Sequence, residues 1–121
     1  ILADEDSRFG GRLLAESDPL DGASAAGWVE TTRAELASLP NVRLMPRTTV
    51  FGVYDHGILG AVERVADHLP TPGTKVRQTL WRITAKHSVL AAGAIERHIP
   101  FADNDRPGIM LAGAMRAYAN R

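Results

Sequence analysis

The stretch SVLAAGAIERHIPFADNDRPGIMLAGAMRAYANR, Ser88–Arg121, decides how the chain reads, because it joins a buried-strand pattern to a glycine turn and then to a helix. Ser88–Ala92 is short and almost wholly apolar, the pattern of a parallel strand covered on both faces. Ala91-Ala92-Gly93-Ala94 then places small residues at the carboxyl end of that strand, where open α/β sheets hold their ligands. Beyond Arg106-Pro107-Gly108, the spacing of Met110, Leu111, Ala114, Met115, Ala117 and Tyr118 predicts a helix. The counterpart lies at the opposite end, where Ile1-Leu2-Ala3 runs into Asp4-Glu5-Asp6 and then Gly10-Gly11. An apolar strand ending on an acid is how nucleotide-binding α/β sheets grip an adenosine ribose, since a carboxylate accepts hydrogen bonds from both hydroxyls. No G-x-G-x-x-G turn precedes these acids and the chain opens inside an apolar run, so it reads as residues 1–121 of a larger dinucleotide-binding domain without its first strand and phosphate-binding loop.

The middle of the chain changes period twice. Arg12–Gly22 carries loop punctuation and reads as a connection. Ser24 can cap a helix whose apolar face is Ala25, Trp28, Val29, Thr32, Leu36 and Leu39, with Trp28 in the core, and Pro40 ends it. From Asn41 onward β-branched and aromatic residues predict strands, with Thr48–Asp55, Ile58–Asp67 and Val76–Ala85 forming a three-stranded antiparallel meander. The fold expected is α/β, a partial Rossmann-like parallel sheet with this meander, at about residues 48–85, inserted.

Composition removes several function classes. Among 121 residues, 14 Lys and Arg balance 14 Asp and Glu, so the charge footprint that nucleic acid or an anionic membrane demands is missing. There is no cysteine, hence no disulfide, thiolate metal site or cysteine nucleophile, which suits a reducing, cytoplasmic setting. No apolar run reaches the roughly 20 residues that cross a bilayer. His56, His68, His87 and His98 have no paired ligand spacing, and no serine sits in a G-x-S-x-G elbow, so neither a metal centre nor a catalytic residue is assigned. Asp103-Asn104-Asp105-Arg106-Pro107 lacks the spaced oxygens and closing Glu of a calcium loop, and reads instead as a turn with Arg106 paired to a carboxylate.

What remains is a nucleotide rim. Asp4 is the first choice for the ribose, with Glu5 and Asp6 beside it and Gly10 and Gly11 letting the chain fold back beneath the ligand. Carboxylates there repel a 2′-phosphate, so NAD, or the ADP half of FAD, suits the rim better than NADP. Small residues at Ala92 and Gly93 fit a close approach of cofactor to backbone, and equally a close helix packing.

These segments, ILADEDSRFGGRLL, then LPNVRLMPRTTVFGVYDHGILGAVERV, then LAAGAIERHIPFADNDRPGIMLAGAMRAYANR, resemble the alpha subunit of bacterial heterotetrameric sarcosine oxidase over nearly the whole chain. The resemblance implies the NAD-binding region of a long subunit that works with beta, gamma and delta subunits, with FAD and FMN elsewhere in the complex. It also implies the reaction: oxidative demethylation of sarcosine to glycine, with oxygen reduced to hydrogen peroxide and the one-carbon unit passed to tetrahydrofolate at a separate domain. On the same ground Arg12 reaches toward the nucleotide phosphates or ribose, the Val50 backbone meets adenine, and Ala92 and Gly93 lie near the pyrophosphate. Two other readings stay open. One is a subunit of a related dye-linked amino-acid or opine dehydrogenase, and the other is a structural interaction module with a vestigial pocket. The chain alone is expected to be inactive and to self-associate through its unpaired strands.

Overall fold

The computed structural model describes residues 1–120, and its organising element is the meander. Three strands, here β5 (Thr48–Tyr54), β6 (Ile58–Glu63) and β7 (Thr79–Thr84), pair antiparallel in the order β5-β6-β7. β5 and β6 start where the alternation placed them and end one and four residues earlier, and β7 is shorter at both ends. His56 and Gly57 form the β5–β6 turn with φ of +60° and +70°, the left-handed pair that a tight hairpin requires. A bulge between Val50 and Gly52 bends β5. At the other end of the sheet, Asp67 accepts from Gln78 Nε2 at 2.9 Å and pairs with Arg77, which closes the β6–β7 connection. The Gln78 hydrogen bond, followed by Arg77, holds the Asp67 carboxyl below the usual carboxylate range. Because that pKa is depressed in the folded chain, the clasp is present above the ordinary Asp range and is lost as the pH falls through it.

The amino-terminal half builds two smaller sheets of two strands each. β1 (Leu2–Ala3) pairs in parallel with β4 (Leu44–Met45), and β2 (Pro19–Leu20) makes a small hairpin with β3 (Ala23–Ser24). Asp21 and Gly22 turn that hairpin with φ of +50° and +80°, so the stretch read as a plain connection holds a D-G hairpin, preceded by a 3₁₀ turn over Gly11–Ala15. α1 (Ala25–Ser38) starts where Ser24 Oγ accepts the Gly27 N–H at 3.1 Å and stops before Pro40. Its buried contribution is only Ala25 and Val29, and Trp28 is 37% exposed, so the expected burial of Trp28 is partial. α2 spans Ala112–Ala119, two residues later than the apolar spacing begins, because Leu111 is still extended.

One expected strand does not form. Ser88–Ala92 was to be a buried parallel strand, yet Val89 and Leu90 are each 92% exposed. After the Ala85 N–H donates to Gly57 O, no backbone hydrogen bond among the described residues starts again until the Asn104 N–H donates to Phe101 O. A parallel strand takes all its bonds from neighbours, and among the described residues the one parallel pair is β1 with β4. The expected pairing of Arg106 with a carboxylate is present, to Asp103 at 3.0 Å.

The core is correspondingly thin. Ala25, Val29, Met45, Ala61 and Ala66 are its buried apolar members, and Thr48 its buried polar one. The chain exposes 9,764 Å², whereas a compact chain of 13.1 kDa exposes about 6,400 Å². Large apolar residues are among the exposed ones, with Ile95 91% exposed and Ile99 78%. No described helix is long and apolar enough to cross a membrane.

Two outcomes are expected. Replacing Gly57 with Ala puts a side chain at a left-handed φ and against the Ala85 carbonyl oxygen, so urea titration should show a loss of about 2–4 kcal/mol. The exposed, unpaired 88–99 segment should drive the chain to associate, giving a light-scattering mass above 13.1 kDa that rises with concentration, whereas a concentration-independent monomer speaks against it.

Candidate functional site

The acids Asp4, Glu5 and Asp6 stand at the carboxyl end of β1, and the backbone that carries them is clamped. The Asp4 N–H donates to Met45 O at 3.1 Å. Its carbonyl accepts the Thr48 N–H at 2.7 Å, and that of Asp6 accepts the Arg47 N–H at 2.8 Å. Between them, the Glu5 carbonyl accepts from Arg64 Nη2. Three consecutive carbonyls are thus engaged by residues that lead into or out of the meander. The side chains are left to face elsewhere. Asp4 is partly buried and uses one oxygen, Oδ1, to accept the Asp6 N–H at 2.9 Å, so Oδ2 lies outside that turn. Glu5 and Asp6 are exposed.

Val50 makes none of the hydrogen bonds to these acids. It lies two residues beyond Thr48 on β5, an edge strand of the meander, beside the bulge, and is 42% exposed. An edge strand offers alternate backbone groups away from its partner, which is what a base edge needs.

Gly10, Gly11 and Arg12 form a second group, on the 3₁₀ turn that packs beside α1. Gly10 has φ +125°, and a Cβ there would come within 2.9 Å of Val29 Cγ1, so its smallness already has a structural reason in the approach of α1. A Cβ on Gly11 would meet nothing within 4 Å. The Arg12 side chain is 75% exposed, 3.8 Å from Glu16. It lines a groove of about 250 Å³ together with Ala94, Glu96 and Arg116. Arg12 thus shares a groove with Ala94, whereas Ala92 and Gly93 do not line it. Ala92 and Gly93 themselves are exposed. Gly93 has φ +68° and open space where a Cβ would stand, so helix packing does not account for it, and its left-handed backbone does.

Several residues around the site escaped the sequence reading. Glu16 and Asp18 pair with Arg116, and Asn120 Nδ2 donates to Ala15 O at 2.9 Å, fastening α2 onto the 3₁₀ turn. Glu96 accepts the Gly113 N–H at 2.7 Å near the start of α2. Arg43 lies over the Trp81 ring at 4.3 Å, and Trp81 Nε1–H donates to Glu63 at 2.8 Å. These are contacts between positions distant in sequence, and no local pattern announces them. No cluster of three or more His, Cys, Asp or Glu able to hold a metal occurs among the described residues.

No protein-family model matches the chain. Curated relatives do. It is 51% identical over 122 residues to the protein named sarcosine oxidase subunit alpha of Rhizobium meliloti (strain 1021), covering 100% of this chain and 12% of that protein. Two proteins of the same name, from Corynebacterium sp. (strain P-1) and Corynebacterium sp. (strain U-96), are 48% and 44% identical, over 99% and 100% of this chain and 13% of each relative. The chain thus spans about an eighth of the length of the curated relatives it matches. With identities of 44–51% sustained from one end to the other, the chain matches one stretch of the proteins named sarcosine oxidase subunit alpha.

Proposed function

We propose that this chain forms the adenosine side of an NAD site within a sarcosine oxidase alpha subunit, a flavoenzyme component of the oxidoreductase class. The observation that carries the reading is Asp4: a partly buried carboxylate at the end of a parallel strand, its backbone fixed on both sides, with the edge strand β5 starting beside it. Ribose hydroxyls need an acceptor held in place, and Asp4 offers one. In this reading β1 and β4 are part of a Rossmann-like sheet that continues beyond the residues present, and Ser88–Ala92 takes its place in that sheet when a neighbouring strand is supplied. Val50 lies toward the base, Arg12 and the Ala92–Gly93 turn toward the phosphates, and Gly10 and Gly11 permit the bend between. NAD would bring a hydride acceptor; this chain's own residues bind and orient its adenosine and carry none of the chemistry.

The parent's reaction, as the resemblance implies it, converts sarcosine, oxygen and tetrahydrofolate to glycine, hydrogen peroxide and methylenetetrahydrofolate. FAD and FMN, the beta, gamma and delta subunits, and the folate domain would lie outside this stretch, in a cytoplasmic complex. A structural reading competes at one position, since Gly10 is explained by α1 packing without any ligand.

Two measurements on an alpha subunit carrying this sequence test the proposal. Calorimetric titration should show NAD bound at least tenfold more tightly than NADP, a difference of about 1.4 kcal/mol, and Asp4→Ala should weaken NAD. Equal affinities, or tighter NAD binding after Asp4→Ala, contradict it. Gly93→Val should purify folded but without nucleotide, because a branched side chain at φ +68° costs about 1–2 kcal/mol locally and intrudes where the cofactor meets backbone. Retention of nucleotide by that variant removes the turn from the site. The 121-residue chain by itself should show neither NAD binding nor oxidase activity, since the helix amino terminus that donates to a pyrophosphate is supplied by no glycine-rich turn here.

A further inference from the structure

Among the three clamps on the Asp4–Asp6 carbonyls, two are main-chain amides, those of Thr48 and Arg47, and one is a side chain, Arg64. Arg64 follows β6 directly, and its own N–H donates to Arg47 O at 2.9 Å. Its backbone therefore grips one side of the seam while its guanidinium reaches across to Glu5, 59 residues earlier in the chain. The central carbonyl of the acid triplet has no equivalent main-chain donor in this seam. Without Arg64 the Glu5–Asp6 peptide is held on one side only, by the Asp6 N–H that donates to Asp4 Oδ1 at 2.9 Å, and the rim loses its support at the Glu5 carbonyl.

Resting on the NAD reading above, we infer that Arg64 is a positioning residue that sets cofactor selectivity: by donating to the Glu5 carbonyl it fixes the acid rim from behind. It touches no reacting atom. The test uses the complete alpha subunit with Arg64→Met, Arg64→Lys and Asp4→Ala, reading NAD and NADP affinities together with residue-resolved amide exchange. Arg64→Met should weaken NAD about fivefold, the scale of one lost hydrogen bond, and lower the NAD-to-NADP ratio at least threefold. Arg64→Lys, which keeps a donor, should restore part of both. Exchange at the Asp6 amide should quicken in Arg64→Met while Leu59 and Ile83, paired inside the meander, stay unchanged. A merely structural role lowers both affinities alike and leaves the ratio unmoved, which overturns the inference. Unchanged exchange at Asp6 overturns it as well. If NAD binding is insensitive to Asp4→Ala, the NAD reading fails on its own, and selectivity control by Arg64 falls with it.

Discussion

The hydrogen bonds that Thr48, Arg64 and Arg47 give to the carbonyls of Asp4, Glu5 and Asp6 are the constraint on which the rest depends. They form the seam between two sheets of different kind. On one side is a parallel pair of two residues per strand, too short to be stable by itself; on the other is a meander of six or seven residues per strand. Thr48 is 1% exposed and lies at the start of β5, so the seam is dry where it begins. Its side chain also donates to Pro46 O at 3.1 Å, which fixes the bend from β4 into β5. Loss of the seam would leave β1 and β4 with little to hold them against the meander.

A second tie reinforces the first. Arg43 accepts the Leu2 N–H through its carbonyl at 2.9 Å and lays its guanidinium over Trp81 on β7. A cation over the ring face and a carboxylate accepting at the ring edge use both signs of the indole's charge distribution. Ala61, fully buried, sits between Trp81 and Val50 in register across the three strands, so this tie and the expected base position share one face of the meander. The parallel pair is therefore fastened to the near strand of the meander by main-chain bonds and to its far strand by a side chain.

Local signals were legible in the sequence, and relations between segments were not. Ser24 as a cap, Pro40 as a stop and the His56-Gly57 turn are decided by their own chemistry, and each is found where the residues indicate. The Asp21-Gly22 hairpin was overlooked although the dipeptide carries a known turn preference, because the strands it joins are two residues long and show no alternation. Ser88–Ala92 reads as a buried strand because composition reports what a segment can do when neighbours cover it, and here none does. The acids of the candidate site were read in the same way as the caps, by residue type at a strand end. Arg64 and Arg43 were not, since only the fold brings them to Glu5 and Leu2.

On the proposed reading, the seam holds a rim whose opposite wall would be supplied by other parts of an alpha subunit. The direct measurement is amide exchange across an alpha subunit carrying this sequence, with and without NAD. Slowed exchange at Asp4–Asp6, at Val50 and across Ala92–Ala94 on adding NAD is the predicted result. Protection confined to other parts of the subunit, with these positions unaffected, contradicts the account.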